Sequence, residues 1–303
     1  MVAASGAAGE FAQRLAGADR LPASRIVQCS VEPGRASLDV AVAREPALRR
    51  DRGDLRVTED RVLVALGDVH VPRLDSVVAP HLAPGVPTVV WWPGGGLDAL
   101  RTLVALADAI VLDSEEPPAS PGALAYACAL ARSARVVDLA WLRTEPWRER
   151  VAALFDPPAA PAAIEAVEVR HPPGSETAGL LLLGWLAARL ERGRVRLTLE
   201  ADPAERPPGL SALTLSTKSG RRFALQRVPE GLRARDRLPE GRERHWTAFG
   251  AARCEALLLG DAIPRGLLPD PAFAAALPAA AALTRRCGDL VPSGRQPQRR
   301  PTP

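Results

Sequence analysis

The sequence predicts an α/β protein in two parts: a mostly parallel sheet with helices on both faces, followed by a smaller α+β domain with an antiparallel sheet. Three observations carry this reading. Over the first half of the chain, short runs that are apolar on both faces alternate with segments of helical period, the pattern of a parallel sheet covered on both sides. A proline- and alanine-rich stretch, DPPAAPAAIEA, then breaks the rhythm. Beyond it strand-like runs cluster and helices follow them, as in an α+β unit. The implied boundaries are an N-terminal arm over residues 1–23, an α/β domain over 24–156, a linker over 157–163, an α+β domain over 164–290 and a disordered basic tail over 291–303.

In chain order, residues 1–20 suggest a short helix or a frayed arm. RIVQCSV and RVLVALGDV are apolar runs with β-branched residues and suggest strands; LDSVVAPHL is short and helical in pattern. PTVVWW reads as a buried strand. GLDALRTLVALADA sets Leu97, Leu100, Leu103, Val104 and Leu106 at helical spacing. AIVLDS is a further strand, PGALAYACALARSA a helix with Pro121 near its start, and RVVDLAW another strand. PWRERVAALF closes the region as a helix with Pro146 in its first turn.

After the linker, AIEAVEVRH is a strand and SETAGLLLLGWLAARLE a helix with Ser175 as its N-cap. RVRLTLEAD, LSALTLSTKSG and RFALQRV are three strands, the last two joined by a hairpin turn at Lys218-Ser219-Gly220. HWTAFGAARCEALLLGDA and PAFAAALPAAAALTRR are the closing helices.

Composition narrows the function classes. With 303 residues, 47% of them hydrophobic, the chain can bury a large core without staples. Its net charge of +4 is carried almost wholly by arginine, with Lys218 the only lysine, and acidic residues are interspersed. No helix-turn-helix, zinc or RNA-recognition pattern is present, so no nucleic-acid partner is expected. Cys29, Cys128, Cys254 and Cys287 are isolated, without C-x-x-C spacing or a histidine at ligand distance, which reads as reduced thiols and no metal. The N-terminus lacks the features of a secretory signal, and the most apolar helix, AGLLLLGWLAARL, is too short to span a bilayer. A cytoplasmic protein with no membrane partner is the expectation. His70, His81, His171 and His245 sit in unrelated contexts, His171 read as a surface or capping residue, and no catalytic motif appears. The sequence assigns no catalytic residue and no cofactor.

TVVWWPGGG raises a specific alternative. Gly94, Gly96 and Ala99 fit G-x-G-x-x-A between a strand and a helix, and Asp113 follows at the end of the next strand. On that reading the chain is a nucleotide- or sugar-phosphate-binding α/β protein, enzyme or sensor, with the phosphate at the helix N-terminus. Pro93 before the turn, and a strand that is the third or fourth of its domain, count against it. Trp91 and Trp92, adjacent in a strand, must point to opposite faces. One then packs under a helix and the other stands near the strand's C-terminal edge, where such sheets meet ligands and partners.

The most distinctive stretch is DLAWLRTEPWR. It gathers Asp138, Trp141, Arg143, Trp147 and Arg148 at a strand-to-helix corner. Tryptophan and arginine together make binding hot spots and cation–π pairs; the same residues can equally brace a fold through a buried ion pair. The run resembles the D-L-[AS]-W-x-R-x-x-P-W-R signature of the glucose-6-phosphate dehydrogenase assembly protein family, OpcA. Asp138, Leu139, Ala140, Trp141, Arg143, Pro146, Trp147 and Arg148 all match it. VVWWPG, from Val89 to Gly94, and LLLLGWLAARL, from Leu180 to Leu190, resemble two further family segments in order and spacing. The three glycines after W-W-P depart from the family pattern, which is commonly acidic or polar there. The resemblance implies a non-catalytic protein that promotes the oligomeric assembly and activity of glucose-6-phosphate dehydrogenase, an allosteric activator at the entry to the oxidative pentose phosphate pathway. Trp91, Trp92, Asp138, Trp141, Arg143, Trp147 and Arg148 are then the candidates for partner binding.

Overall fold

The computed structural model describes residues 2–5, 25–49, 55–93, 97–116, 122–154, 164–190, 195–204, 208–249 and 254–288. The linker expected over 157–163, the basic tail and the turn glycines Gly94 and Gly96 lie outside the described residues.

Seven strands form the first sheet: β1 (Val2–Ser5), β2 (Ile26–Val31), β3 (Asp39–Arg49), β4 (Leu55–Leu66), β5 (Val89–Trp92), β6 (Ala109–Leu112) and β7 (Arg135–Asp138). Their order is β3-β4-β2-β1-β5-β6-β7, parallel throughout except that β3 runs antiparallel to β4. The chain lays β2 and β4 to one side of β1, then returns to place β5, β6 and β7 on the other. This is the doubly wound arrangement, with its switch point between β1 and β5. VVWW and AIVL are buried at every position, as strands covered on both faces must be.

Helices connect the strands. A short α1 (Leu74–Val78) lies between two 3-10 turns, α2 (Leu97–Leu103) follows β5, and α3 (Gly122–Leu130) precedes β7. Behind β7 come α4 (Leu139–Arg143) and α5 (Glu145–Ala153).

The second sheet has six strands in the order β13-β12-β11-β10-β8-β9. They are β8 (Ile164–His171), β9 (Arg196–Ala201), β10 (Ala212–Thr217), β11 (Arg222–Val228), β12 (Gly231–Arg237) and β13 (Glu243–Phe249). It is antiparallel apart from the β8–β9 pair, which is parallel because α6 (Glu176–Ala187) crosses between them. The β10–β11 turn is the hairpin expected at Lys218-Ser219-Gly220, with Gly220 at φ 86°. Two helices finish the described chain, α7 (Glu255–Gly266) and α8 (Pro271–Gly288).

Several elements differ from expectation, each for a local reason. Val2–Ser5, inside the stretch read as an arm, pairs with both β2 and β5 at the centre of the sheet; four residues are too few to show a period. RVVDLAW stops as a strand at Asp138, whose carboxylate accepts the amide of Ala140 and starts α4. HWTAF, read as the head of a helix, is strand β13, and the helix begins only at Glu255. The closing helices are not confined to the second sheet. α7 packs on β6 and β7, while α8 packs on α3 and α6, so one core runs through both halves. At the α6–α8 crossing Gly184 lets the helices touch: a Cβ there would stand 2.5 Å from Ala276 O and 2.6 Å from Ala280 N. Among the described residues no single helix is long and apolar enough to cross a membrane.

Candidate functional site

The D-L-A-W run folds into the joint between the two halves. Asp138 ends β7 and is fully buried. One carboxylate oxygen, Oδ1, accepts both the Ala140 amide at 3.0 Å and the Ser114 amide at 3.1 Å. A single acid thereby caps α4 and fixes the loop after β6. Its other oxygen, Oδ2, is buried without a hydrogen-bond partner, as is Ser114 Oγ. Burial, with the nearby charge of Asp113 added, pushes the Asp138 carboxyl from its usual 3.8 to about 7, against the pull of Ser114 and of the Ala140 amide.

Arg143, at the end of α4, clamps that loop from the other side. Its guanidinium donates to both oxygens of Asp113 at 2.8 and 2.5 Å and to Glu115 Oε2 at 3.1 Å. The side chains are 13%, 4% and 6% exposed, so the ion pairs are buried. Burial pulls the Arg143 pKa down, but the hydrogen bonds and charge of Asp113, with Glu115 behind it, leave it raised overall. Glu115 then reaches into the second half: its Oε1 accepts the Ala178 amide in the first turn of α6 at 3.2 Å. Burial pushes Glu115 up to about 7, with the Arg143 charge opposing. Ser175 does precede α6, but its hydroxyl accepts the Gly209 amide instead of capping its own helix. The acceptor at the head of α6 comes from the α/β half, an arrangement invisible in the local sequence.

Trp141 and Arg148 form a second layer. The Arg148 guanidinium lies 3.6 Å over the Trp141 ring, and its Nε donates to Thr144 Oγ1 at 3.0 Å. Burial lowers the Arg148 pKa to about 10, which leaves it charged at neutral pH. The Trp141 indole N–H donates to Asp270 Oδ2 at 2.8 Å, and Asp270 Oδ1 accepts the Phe273 amide in the first turn of α8. Beside them a cleft of about 910 Å³ opens between the starts of β6 and β7 and the α7–α8 turn, with Arg135, Arg265 and Phe273 in its wall.

The structure thus brings Asp113, Asp138, Trp141, Arg143 and Arg148 together but turns them inward. Trp91, Trp141 and Trp147 are each 1% exposed and Trp92 7%, so their rings lie in the core and not on a docking face. Trp91 and Trp92 are adjacent in β5, so they leave opposite faces of the sheet, and both are buried. Asp113, the acid of the nucleotide reading, is held bidentately by Arg143 and is not free to take a ribose hydroxyl. Gly94 and Gly96 follow the fifth strand of the sheet, not its first. His171, read as a surface or capping residue, is buried at the end of β8 with Nδ1 2.9 Å from Pro172 O. Cys29 is buried and pushed up to about 12 by desolvation, the state of an inert packing thiol; Cys254 is exposed, and the Cys287 side chain lies outside the described residues.

Comparison with known proteins agrees with the D-L-A-W signature. Residues 17–129 match the N-terminal domain of the glucose-6-phosphate dehydrogenase subunit family and residues 134–277 its C-terminal domain. The division between these two falls just ahead of β7, so the signature belongs to the C-terminal family domain although its strand completes the first sheet. An OxPP cycle protein OpcA of Synechocystis sp. is 31% identical over 127 residues, which are 39% of this chain and 26% of that protein. The OpcA of Nostoc punctiforme is 31% identical over 130 residues, again 39% of this chain and 27% of the relative. The matched stretch therefore spans about a quarter of these relatives' length. Among solved structures, a 3-ketoreductase from Actinomadura kijaniata superposes with a TM-score of 0.51 at 11% identity, covering 95% of this chain and 96% of that one. An oxidoreductase from Bacillus subtilis gives 0.51 at 10%, covering 95% of both chains. At such identities the likeness is one of fold alone.

Proposed function

This chain belongs to the glucose-6-phosphate dehydrogenase subunit family, OpcA, and from that membership we propose that it is a non-catalytic assembly factor and allosteric activator of glucose-6-phosphate dehydrogenase. The observation that carries the reading is the match to both family domains in order, over residues 17–129 and 134–277. The geometry is compatible with it. The signature residues are spent on one another: Arg143 on two carboxylates, Asp138 on two amides, Trp141 on Asp270 and Arg148. Such a set holds two sheets in fixed relation, and the two polar atoms it leaves unpartnered, Asp138 Oδ2 and Ser114 Oγ, are buried away from solvent. Its contribution to a partner is indirect, through the rigidity of the surface it supports.

The test is a titration of this protein into the purified glucose-6-phosphate dehydrogenase of the same organism, following NADPH formation and complex mass together. A saturable rise in rate with an increase in mass is expected. No change in either refutes the reading. The nucleotide alternative finds no support in the cluster, since Asp113 is engaged by Arg143. Saturable NADP binding by the isolated chain would revive it.

A further inference from the structure

The second sheet has two unlike faces. One is apolar: Leu213, Leu215, Phe223, Leu225, Leu232 and Ala234 are buried there. The other is left to solvent, and on β11 and β12 it is cationic. Arg233, Arg235 and Arg237 alternate along β12, so all three side chains leave the same face, and all are exposed. Arg222 stands directly opposite Arg237 on β11 and is exposed as well. Like charges facing one another across a ladder are destabilising, and although Glu243 stands opposite Arg237 on β13, it makes no ion pair with it. Of the carboxylates on this face, Glu168 and Glu200 are held by Arg170 at 2.9 and 3.2 Å, and Glu243 lies 3.7 Å from His245. Among the described residues none of the four guanidinium groups has an ion-pair or hydrogen-bond partner.

We propose that this arginine row is the docking face for an acidic protein surface, that of the dehydrogenase. The partner's identity rests on the function proposed above; the position of the face rests on the charge arrangement. Between the arginines the sheet presents small residues, Ala212, Thr214, Ser216 and Ala224, which leave a flat platform accessible to a second backbone. Arginine forks suit carboxylates bidentately and are enriched where proteins meet. A second copy of this chain is a poor occupant, because a two-fold contact would set the row against itself. Single-stranded nucleic acid is also poorly served. Bases stack on large rings, but Phe223 and Trp246, 6.0 Å apart, belong to the opposite face, and the ring described beside the row is the small imidazole of His245, opposite Arg235.

The experiment compares the wild-type chain, a triple Arg233→Glu, Arg235→Glu, Arg237→Glu variant and a neutral Arg233→Thr, Arg235→Thr, Arg237→Thr variant for binding to the purified dehydrogenase at two salt concentrations. Arg101→Glu, exposed on α2, controls for net charge. The expected result is a loss of about ten-fold or more in affinity for the reversed variant, a smaller loss and a flatter salt dependence for the neutral one, and none for Arg101→Glu. The threonine variant, which removes like-charge repulsion and keeps strand propensity, retains or raises the wild-type Tm and so separates docking from folding. Equal binding by all variants overturns the docking face while leaving the dehydrogenase reading intact. Absence of binding by the wild type itself overturns both. Displacement of the dehydrogenase by single-stranded RNA, with RNA binding lost in the same variants, overturns the protein partner in favour of a nucleic acid.

Discussion

Trp141 donates its indole hydrogen to Asp270, joining the signature helix α4 to the N-cap of α8 across 129 residues of chain. The same carboxylate thus does two things: it satisfies the one polar atom of a buried tryptophan and receives a first-turn amide of the closing helix. Through this contact the last helix is tied to the first sheet, although the sequence between them builds an entire second sheet.

Removing that acceptor is expected to cost stability from both ends. Asp270→Ala loses a cap, ~1 kcal/mol, and leaves a buried indole N–H without a partner, ~1–3 kcal/mol more. Asp270→Asn keeps one acceptor oxygen, enough for one of the two donors, and should cost less than Asp270→Ala. Thermal unfolding of the two variants checks the order.

Arg143 presents the harsher case. Two carboxylates, 4% and 6% exposed, depend on its guanidinium. Arg143→Met should destabilise by ~3–5 kcal/mol at neutral pH, because it strands buried charge rather than merely deleting a contact. Arg143→Lys should recover only part of this, since an ammonium cannot bridge both oxygens of Asp113 and still reach Glu115. Denaturant melts at pH 5 and 8 separate the two effects, the loss for Arg143→Met being smaller at pH 5, where Glu115 is protonated.

Much of the scaffold was legible because its signals are local. AIVL and VVWW could only be buried strands, and the helices at 97 and 122 showed period or proline in a single window; Ser175 marked the start of the helix at 176, though its hydroxyl does not cap it. β12 and β13 were not legible. GLRARDR buries only Leu232, Ala234 and Asp236 among its side chains and spends its other positions on exposed arginines, which propensity reads as coil. The site was half legible. The signature marked Asp138, Trp141, Arg143 and Arg148 as acting together, but Glu115, Asp270 and the amide of Ala178 enter only through tertiary contact. Nothing in SEEPP announces that Glu115 will cap a helix in the other half.

The Asp138 and Glu115 carboxyls should make stability fall as pH rises. Both are raised to about 7 in the folded protein, from usual values of 3.8 and 4.5. Between those limits the folded state holds more protons than the unfolded chain, so the contribution is fully present below about pH 4 and is lost as pH passes through 7. Asp138→Asn keeps an acceptor for Ser114 and Ala140 but cannot ionise. Its Tm relative to wild type should therefore rise from pH 5 to pH 8. A constant or falling difference would show that Asp138 is not protonated in the folded protein.

Gly184 sets how closely α6 and α8 can approach. Gly184→Ala would press a methyl group against the backbone of Ala276 and Ala280, which cannot rotate away as a side chain would. An overpacking cost of ~1–3 kcal/mol is expected in spite of the higher helix propensity of alanine. A neutral or stabilising effect in a thermal melt would mean that the two helices slide apart freely.

Arg148 decides whether the signature contacts a partner or braces the fold. It is the outermost of the set, half-buried over Trp141, and its loss removes a cation–π contact worth ~0.5–2 kcal/mol together with the bond to Thr144. If it braces, Arg148→Ala lowers Tm while the fraction that remains folded activates the dehydrogenase with unchanged half-saturation. If it contacts, half-saturation shifts several-fold at full folding. The geometry favours the first outcome: the guanidinium lies flat on a ring that is 1% exposed and points its Nε inward to Thr144. Trp147→Ala cannot make this distinction, because emptying a fully buried tryptophan site costs ~3–5 kcal/mol and removes the folded protein along with any contact.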